Sequence, residues 1–273
     1  MKKNKSLLLS TPYILWMLVF TLIPLGVVGY YALTDPDTGA FTWGNIRDLW
    51  MFLPTLGISV WYSLISALIC LLLGYPVAYF IAHRSPVVQK ILYMLVMLPM
   101  CMSFLLRTLA WVGLLETNGI INQVLSFAGI GPFNMIGTSG AVILGMVYNY
   151  LPYMILPLYA IIVKIDNRLI EAAEDLGCPP AKVFSKVVLP LSMPGILSGI
   201  TMVFVPAVST FYISQKLGGT ETMLIGDVIE RQFKSAGNPN LGAALSLVLM
   251  LLVFVCTGIM NRFGSDEEGG VVV

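Results

Sequence analysis

Charge is scarce in this chain. Only 11% of its 273 residues are Asp, Glu, Lys or Arg, against 58% hydrophobic. A soluble domain typically carries about 25% charged residues. So little charge means that lipid, rather than water, solvates most of the surface. The net charge of +1 provides no basic field to attract nucleic acid. Histidine is represented by His83 alone, which reads as an interfacial residue rather than a metal ligand. The four cysteines, Cys70, Cys101, Cys178 and Cys256, are scattered and form no C-x-x-C pair. They read as small buried hydrophobes, without support for a disulfide framework or a zinc site. No Gly-x-x-x-x-Gly-Lys-[Ser/Thr] phosphate loop is present, so ATP hydrolysis is not expected of this chain.

Long apolar runs are abundant. Each approaches the roughly 20 residues that a helix needs to cross about 30 Å of hydrocarbon. Six spans are expected, at 10–33, 58–82, 91–115, 139–163, 191–214 and 241–260. Backbone polar groups in hydrocarbon must be satisfied internally, so the spans are helices. A barrel would show short alternating segments, and these runs are continuous. The fold class is therefore an all-α membrane protein, with one membrane domain over residues 1–263. The tail, 264–273, is acidic and glycine-rich at first and is expected to be disordered. The start, Met1-Lys2-Lys3-Asn4-Lys5, resembles a signal peptide. The apolar stretch that follows is too long for one and lacks a small-x-small cleavage site, so it reads as a retained first span.

Basic residues set the orientation. Lys2, Lys3, Lys5, Arg84, Lys90, Lys164, Arg168, Lys182, Lys186 and Arg262 fall on the side that holds both termini. Arg47, Lys216, Arg231 and Lys234 fall on the other. The asymmetry places both termini in the cytoplasm.

Three stripes of small residues run along the spans: Ser59, Ser63 and Ala67; Gly74, Ala78 and Ala82; Gly195 and Gly199. Such spacing lets helices approach closely. Packing within this chain and contact with a second membrane subunit both account for it.

The segment between the fourth and fifth spans, 164–190, is the most informative. Asp166 or Asn167 suits a helix N-cap. Gly177 sits where a left-handed C-terminal residue is expected, and Pro179 follows. Pro180 suits the start of a second short helix. In that helix Val183, Phe184, Val187 and Val188 make one face apolar. The charges of Glu171, Glu174, Asp175, Lys182 and Lys186 form a polar rim. A folded element of this kind is either a structured linker or a docking element for a cytoplasmic partner.

The order Glu171-Ala172-Ala173, three residues, Gly177, nine residues, Val187, one residue, Leu189-Pro190 matches the pattern E-A-A-x3-G-x9-[hydrophobic]-x-L-P. In this it resembles the permease subunits of ABC-type importers. The resemblance implies a type I importer fold and a coupling helix seated in a groove of a separate ATP-hydrolysing subunit. Glu171, Ala172, Ala173, Asp175, Gly177, Leu189 and Pro190 would belong to that contact. It also implies a second permease, two ATPase copies that use ATP and Mg²⁺, and an extracytoplasmic substrate-binding protein. This chain itself would bind no cofactor and no metal and would have no catalytic residue. Its place would be the plasma (inner cell) membrane.

Further segments resemble the B-type permeases of spermidine/putrescine importers. They are Arg107-Thr108-Leu109-Ala110-Trp111, Tyr150-Leu151-Pro152-Tyr153, Leu217-Gly218-Gly219 and Ile225-Gly226-Asp227-Val228-Ile229, and the likeness runs from about residue 56 to 244. One departure is Ser209-Thr210-Phe211, where relatives often have a Gly-Glu-Phe-like sequence; an intramembrane carboxylate is thereby lost. Two rival classes fare worse. An ion-coupled secondary transporter needs Asp, Glu or His inside its spans, and these contain none. A membrane-embedded enzyme needs a catalytic set that the chain does not offer.

Four residues are candidates for the pathway or an outer gate: Arg107, Trp111, Asp227 and Glu230. Arg107 is a charge within a span, which is costly and by default functional. Two structural readings apply to it, snorkelling to the outer interface and pairing with Glu116. Residues 225–233 read as an amphipathic helix, either flat on the membrane or sealing the outer mouth. Pro190 and Pro194 open the fifth span, and Pro152 and Pro157 favour bends in the fourth.

Overall fold

The computed structural model describes residues 13, 15–36, 38–219, 222–234 and 237–268. The helices, in chain order, are α1 (Ile23–Ala32), α2 (Gly44–Asp48), α3 (Leu53–Ala82), α4 (Pro86–Met97), α5 (Phe104–Leu115), α6 (Ile120–Phe127) and α7 (Ser139–Ile162). They continue with α8 (Asn167–Asp175), α9 (Pro180–Val183), α10 (Leu189–Leu191), α11 (Met193–Val208), α12 (Tyr212–Leu217), α13 (Ile225–Lys234) and α14 (Pro239–Glu268). Among the described residues five segments are long and apolar enough to cross a membrane: 15–32, 44–82, 104–127, 139–162 and 239–260. A sixth arises if the pair 180–191 and 193–208, bent by 64°, is one span.

Prolines explain much of the local geometry. A π-helical turn, Leu18–Leu22, precedes α1 and Pro24. A second, Phe184–Val188, precedes Pro190. Proline has no N–H for the carbonyl four residues back, and its ring crowds that carbonyl, so the preceding turn widens.

The expected third span, 91–115, is two helices. A 3₁₀ turn at Leu98–Cys101 carries Pro99, and Met102 and Ser103 are extended before α5 starts. The expected fifth span also breaks, because α11 stops at Val208 and α12 begins at Tyr212. There Pro206 lacks its donor. Ser209 Oγ bonds back to the carbonyls of Val205 (3.2 Å) and Pro206 (3.4 Å), which competes with continuation of the helix. At the other end of the chain α14 runs to Glu268, so 264–268, expected within a disordered tail, is helical. After Gly264 this stretch contains no further helix breaker, and each added residue brings its own backbone bond. Residues 269–273 lie outside the described residues, as do 1–12 of the N-terminal stretch.

Backbone contacts divide the membrane domain expected over 1–263 into two units. The first comprises 1–54 and 228–252. Its core is Ala32, Ala243 and Ala244, with Val28, Leu49 and Leu247 against them. The small alanines let α1 and α14 approach. The Thr34 carbonyl, at the end of that contact, accepts from the side-chain amides of Asn45 (2.9 Å) and Asn240, both buried. The carbonyl just past a helix end thus keeps its donors in an apolar setting.

The second unit comprises 55–227 and 253–273. Its core is built on α7, with Val142, Met146, Met154 and Leu158 fully buried, and on facing residues of α3, α11 and α12. The glycine positions face this core. A Cβ on Gly74 would lie 3.1 Å from Met154 Cγ. One on Gly195 would meet Ile161 at 3.1 Å, and one on Gly199 would meet Met154 Sδ at 2.6 Å. These small residues therefore serve packing within the chain. Ser59 also has a polar task, because its Oγ accepts from Ile225 N at 2.8 Å and donates to the Thr55 carbonyl.

Candidate functional site

The segment 164–190 is a compact folded element. Asp166 is the N-cap of α8, its Oδ1 accepting from Arg168 N at 3.0 Å. At the other end Gly177 adopts φ +76°. Its N–H bonds to the Glu174 carbonyl at 2.8 Å, and the Cys178 N–H bonds to the Ala173 carbonyl at 3.1 Å. This pair of bonds is a Schellman cap, which satisfies the orphan carbonyls and reverses the chain. Pro180 then opens α9.

The second half of the element is tied to the spans. Val183 and Val188 are buried. The Phe184 ring stands edge-on to Tyr75 (5.5 Å) and Tyr79 (6.1 Å) of α3. The Tyr75 hydroxyl and Ser192 Oγ are hydrogen-bonded at 2.8 Å, at the bend between α10 and α11. Packed rings and a buried hydrogen bond thus join the stretch after α9 to α3 and α11.

The first half is not covered. Glu171, Ala172, Glu174 and Asp175 are exposed, and so are Leu169 (49%) and Leu176 (85%). Ala173 is partly buried, Leu189 packs against the core and Pro190 is exposed. An amphipathic helix with exposed leucines and a charged flank has the composition of a docking surface.

A second feature lies within the spans. A pocket of about 420 Å³ opens between α5, α7 and the break that joins α11 to α12. Arg107 contributes its cation, Asn149 its amide, and Ser209 and Thr210 their hydroxyls, with Tyr150, Tyr153 and Phe211 among the aromatic walls. Arg107 is 6% exposed, and its Nε and Nη1 are buried with no hydrogen-bond partner. Asn149 donates to the Gly145 carbonyl at 2.9 Å, while its Oδ1 is buried without a partner. The Tyr150 hydroxyl donates to the Pro206 carbonyl at 3.3 Å, at the break itself.

The four candidate gate residues do not gather in this pocket. Arg107 lines it, but neither structural reading of that side chain holds. Its head is buried rather than snorkelled, and among the described residues no ion pair joins it to Glu116, which is exposed. Trp111, one turn further along α5, packs edge-on against Tyr148 at 5.3 Å. Asp227 is buried in the first turn of α13, its Oδ2 accepting from Leu224 N at 2.8 Å. Glu230 pairs with Lys234 at 2.7 Å. The start of α13 is buried at Leu224, Ile225 and Val228, so this helix is anchored at its N-terminal end rather than flat on a surface. Gly226 is pressed against the Thr210 and Ser209 carbonyls, closer than a Cβ would allow.

Sequence reasoning missed Asn149 and the break itself, having singled out Ser209, Thr210 and Phe211 only for the carboxylate they lack. The signal of the break is the combination of Pro206, Ser209 and Thr210, a donor-less residue and two hydroxyls that compete for backbone bonds. Among the described residues no group of three or more His, Cys, Asp or Glu is placed to hold a metal ion.

Comparison with known proteins gives this architecture its class. Residues 71–266 match the family described as binding-protein-dependent transport system inner membrane components. The chain belongs to that family, whose members are transport components rather than enzymes. It is 41% identical over 255 residues to the spermidine/putrescine transport system permease protein PotB of Haemophilus influenzae, covering 88% of each chain. It is 36% identical over 247 residues to PotB of Escherichia coli K12, covering 87% of this chain and 90% of that one. The inner membrane ABC transporter permease protein YdcU of the same organism is 31% identical over 286 residues, covering 96% of this chain and 90% of its own length. Among solved structures, a bacterial ABC transporter involved in alginate import superposes with a TM-score of 0.81 at 18% identity, over 97% of this chain and 96% of that one. The MetNI methionine transporter gives 0.61 at 17% identity, over 81% of this chain and 98% of that one. These two likenesses show the fold, that of type I ABC importer permeases.

Proposed function

We propose that the chain is a membrane permease subunit of an ATP-driven importer for polyamines, spermidine and putrescine. The observation that carries the substrate is its 41% identity with a spermidine/putrescine permease across 88% of both chains. Its companions are a second permease, a pair of ATPase subunits and a substrate-binding protein on the far side of the membrane. Both termini and the segment 164–190 face the cytoplasm, in keeping with the lysines and arginines that flank them. The exposed face of α8, with Glu171, Ala172, Asp175 and Leu176, docks on the ATPase. Gly177 sets the turn, and Leu189 and Pro190 pass the displacement into α11. ATP and Mg²⁺ act in the partner ATPase, whose closure moves this element and shifts the spans between inward- and outward-facing states. Phe184, Tyr75 and Ser192 carry that motion into α3 and α11.

The test is uptake of labelled spermidine and putrescine by cells with and without this chain, its neighbours intact. Loss on deletion and recovery on re-expression support the polyamine reading. Unchanged uptake, with the chain still co-purifying with an ATPase, keeps the importer class and sends the search to another solute.

A further inference from the structure

The pocket between α5, α7 and the α11–α12 break holds a charge that the chain itself does not answer. Arg107 is more than nine-tenths buried, and two of its guanidinium nitrogens have no acceptor. A guanidinium offers only donors and has no acceptor of its own. A charge in a span is tolerated when it faces water or an opposite charge, and a buried one without a counter-charge is strongly destabilising. None of the residues that line the pocket is Asp or Glu. Leu105 and Phe211, which line the pocket with Arg107, are exposed and apolar, as are Leu106 and Leu109 of the same helix.

We infer that Arg107 receives a carboxylate of the companion permease, an Asp or Glu side chain that enters this pocket from the facing span. The inference rests on the polyamine reading in one respect. A polyamine is a cation and cannot serve as the acceptor that Arg107 lacks, whereas an acidic side chain of the companion can. The two orphaned groups of the pocket then have separate tasks. Arg107 is neutralised by the companion's carboxylate, and Asn149 Oδ1 stays free to accept from another group. Without that neutralisation the pocket would repel the solute it has to pass. Arg107 is thus a positioning residue at the contact of the two permeases, acting on transport through that contact.

The experiment is a charge reversal in the assembled transporter in proteoliposomes. Arg107→Glu is combined, one at a time, with an Asp or Glu→Arg change at each acidic position in the companion's spans. Arg107→Glu alone should lower spermidine uptake by at least about tenfold, since it sets two carboxylates against each other. One reversed companion should restore most of it. Failure of every companion variant to restore uptake, with the subunits still co-purifying, overturns the inference. Arg107→Gln, which removes the charge without adding a new one, is the second probe. Uptake within about twofold of wild type for that variant also overturns it, because a paired buried charge cannot be lost so cheaply. A wild-type assembly that imports no spermidine defeats the polyamine reading instead. The charge pair is then read from retention of the companion through purification. Loss with Arg107→Glu and recovery with one reversed companion support it, and unchanged retention overturns it.

Discussion

Gly177→Val isolates the turn of the coupling element from every other role. A Cβ at this position would meet nothing within 4 Å, so the substitution introduces no clash. Its whole effect comes from φ +76°, the left-handed region. A side chain with a Cβ pays about 1–2 kcal/mol there, and a β-branched one is a stronger outlier. The bonds from Gly177 N to Glu174 and from Cys178 N to Ala173 depend on that conformation. A cost of about 1–2 kcal/mol cuts the ratio of capped to uncapped turn by a factor of about 5–30. The spans are untouched, so insertion and assembly should persist. The assay is ATP-dependent uptake in proteoliposomes, with ATPase retention measured on the same preparation. Uptake should fall measurably, by at most about the same factor of 5–30. Gly177→Asn, which tolerates the left-handed region, should retain most of the uptake. Wild-type uptake by the Val variant would refute the role of the turn. An Asn variant as impaired as Val would refute the conformational explanation.

Further outcomes concern the start of α13, which meets the break in the fifth span and α3. Gly226→Ala drives a methyl group into the Thr210 and Ser209 carbonyls, which are backbone and cannot swing away. It should destabilise the purified assembly by about 1–3 kcal/mol or more, read as a lowered midpoint of thermal unfolding. An unchanged midpoint would mean that the helix start does not sit on the break. Ser59→Ala leaves the buried Ile225 N–H without its acceptor and should cost about 1–3 kcal/mol. Ser63→Ala should cost much less, because Ser63 Oγ only bonds back to the Ser59 carbonyl of its own helix. Equal effects for the two serines would count against the Ser59–Ile225 bond.

The sequence by itself determined the class of this protein. Apolar runs long enough for a bilayer require helices, because hydrocarbon offers the backbone no other partner. The 164–190 element was equally legible, since its signals are local: Asp166 at the cap, Gly177 at the turn and Pro180 at the restart each act on their own backbone. Tertiary structure decided what depends on distant neighbours. It assigned the glycines of α3 and α11 to packing against α7, because only the fold sets Met154 and Ile161 opposite them. It broke the third and fifth spans where a proline and nearby polar side chains outweigh an otherwise apolar run. It separated Asp227 and Glu230, a buried cap and an exposed ion pair on one helix, which look alike in sequence. And it left Arg107 buried and unanswered beside Asn149. Whether a buried charge has a partner is a property of the space around it, and that space is made by three helices far apart along the chain.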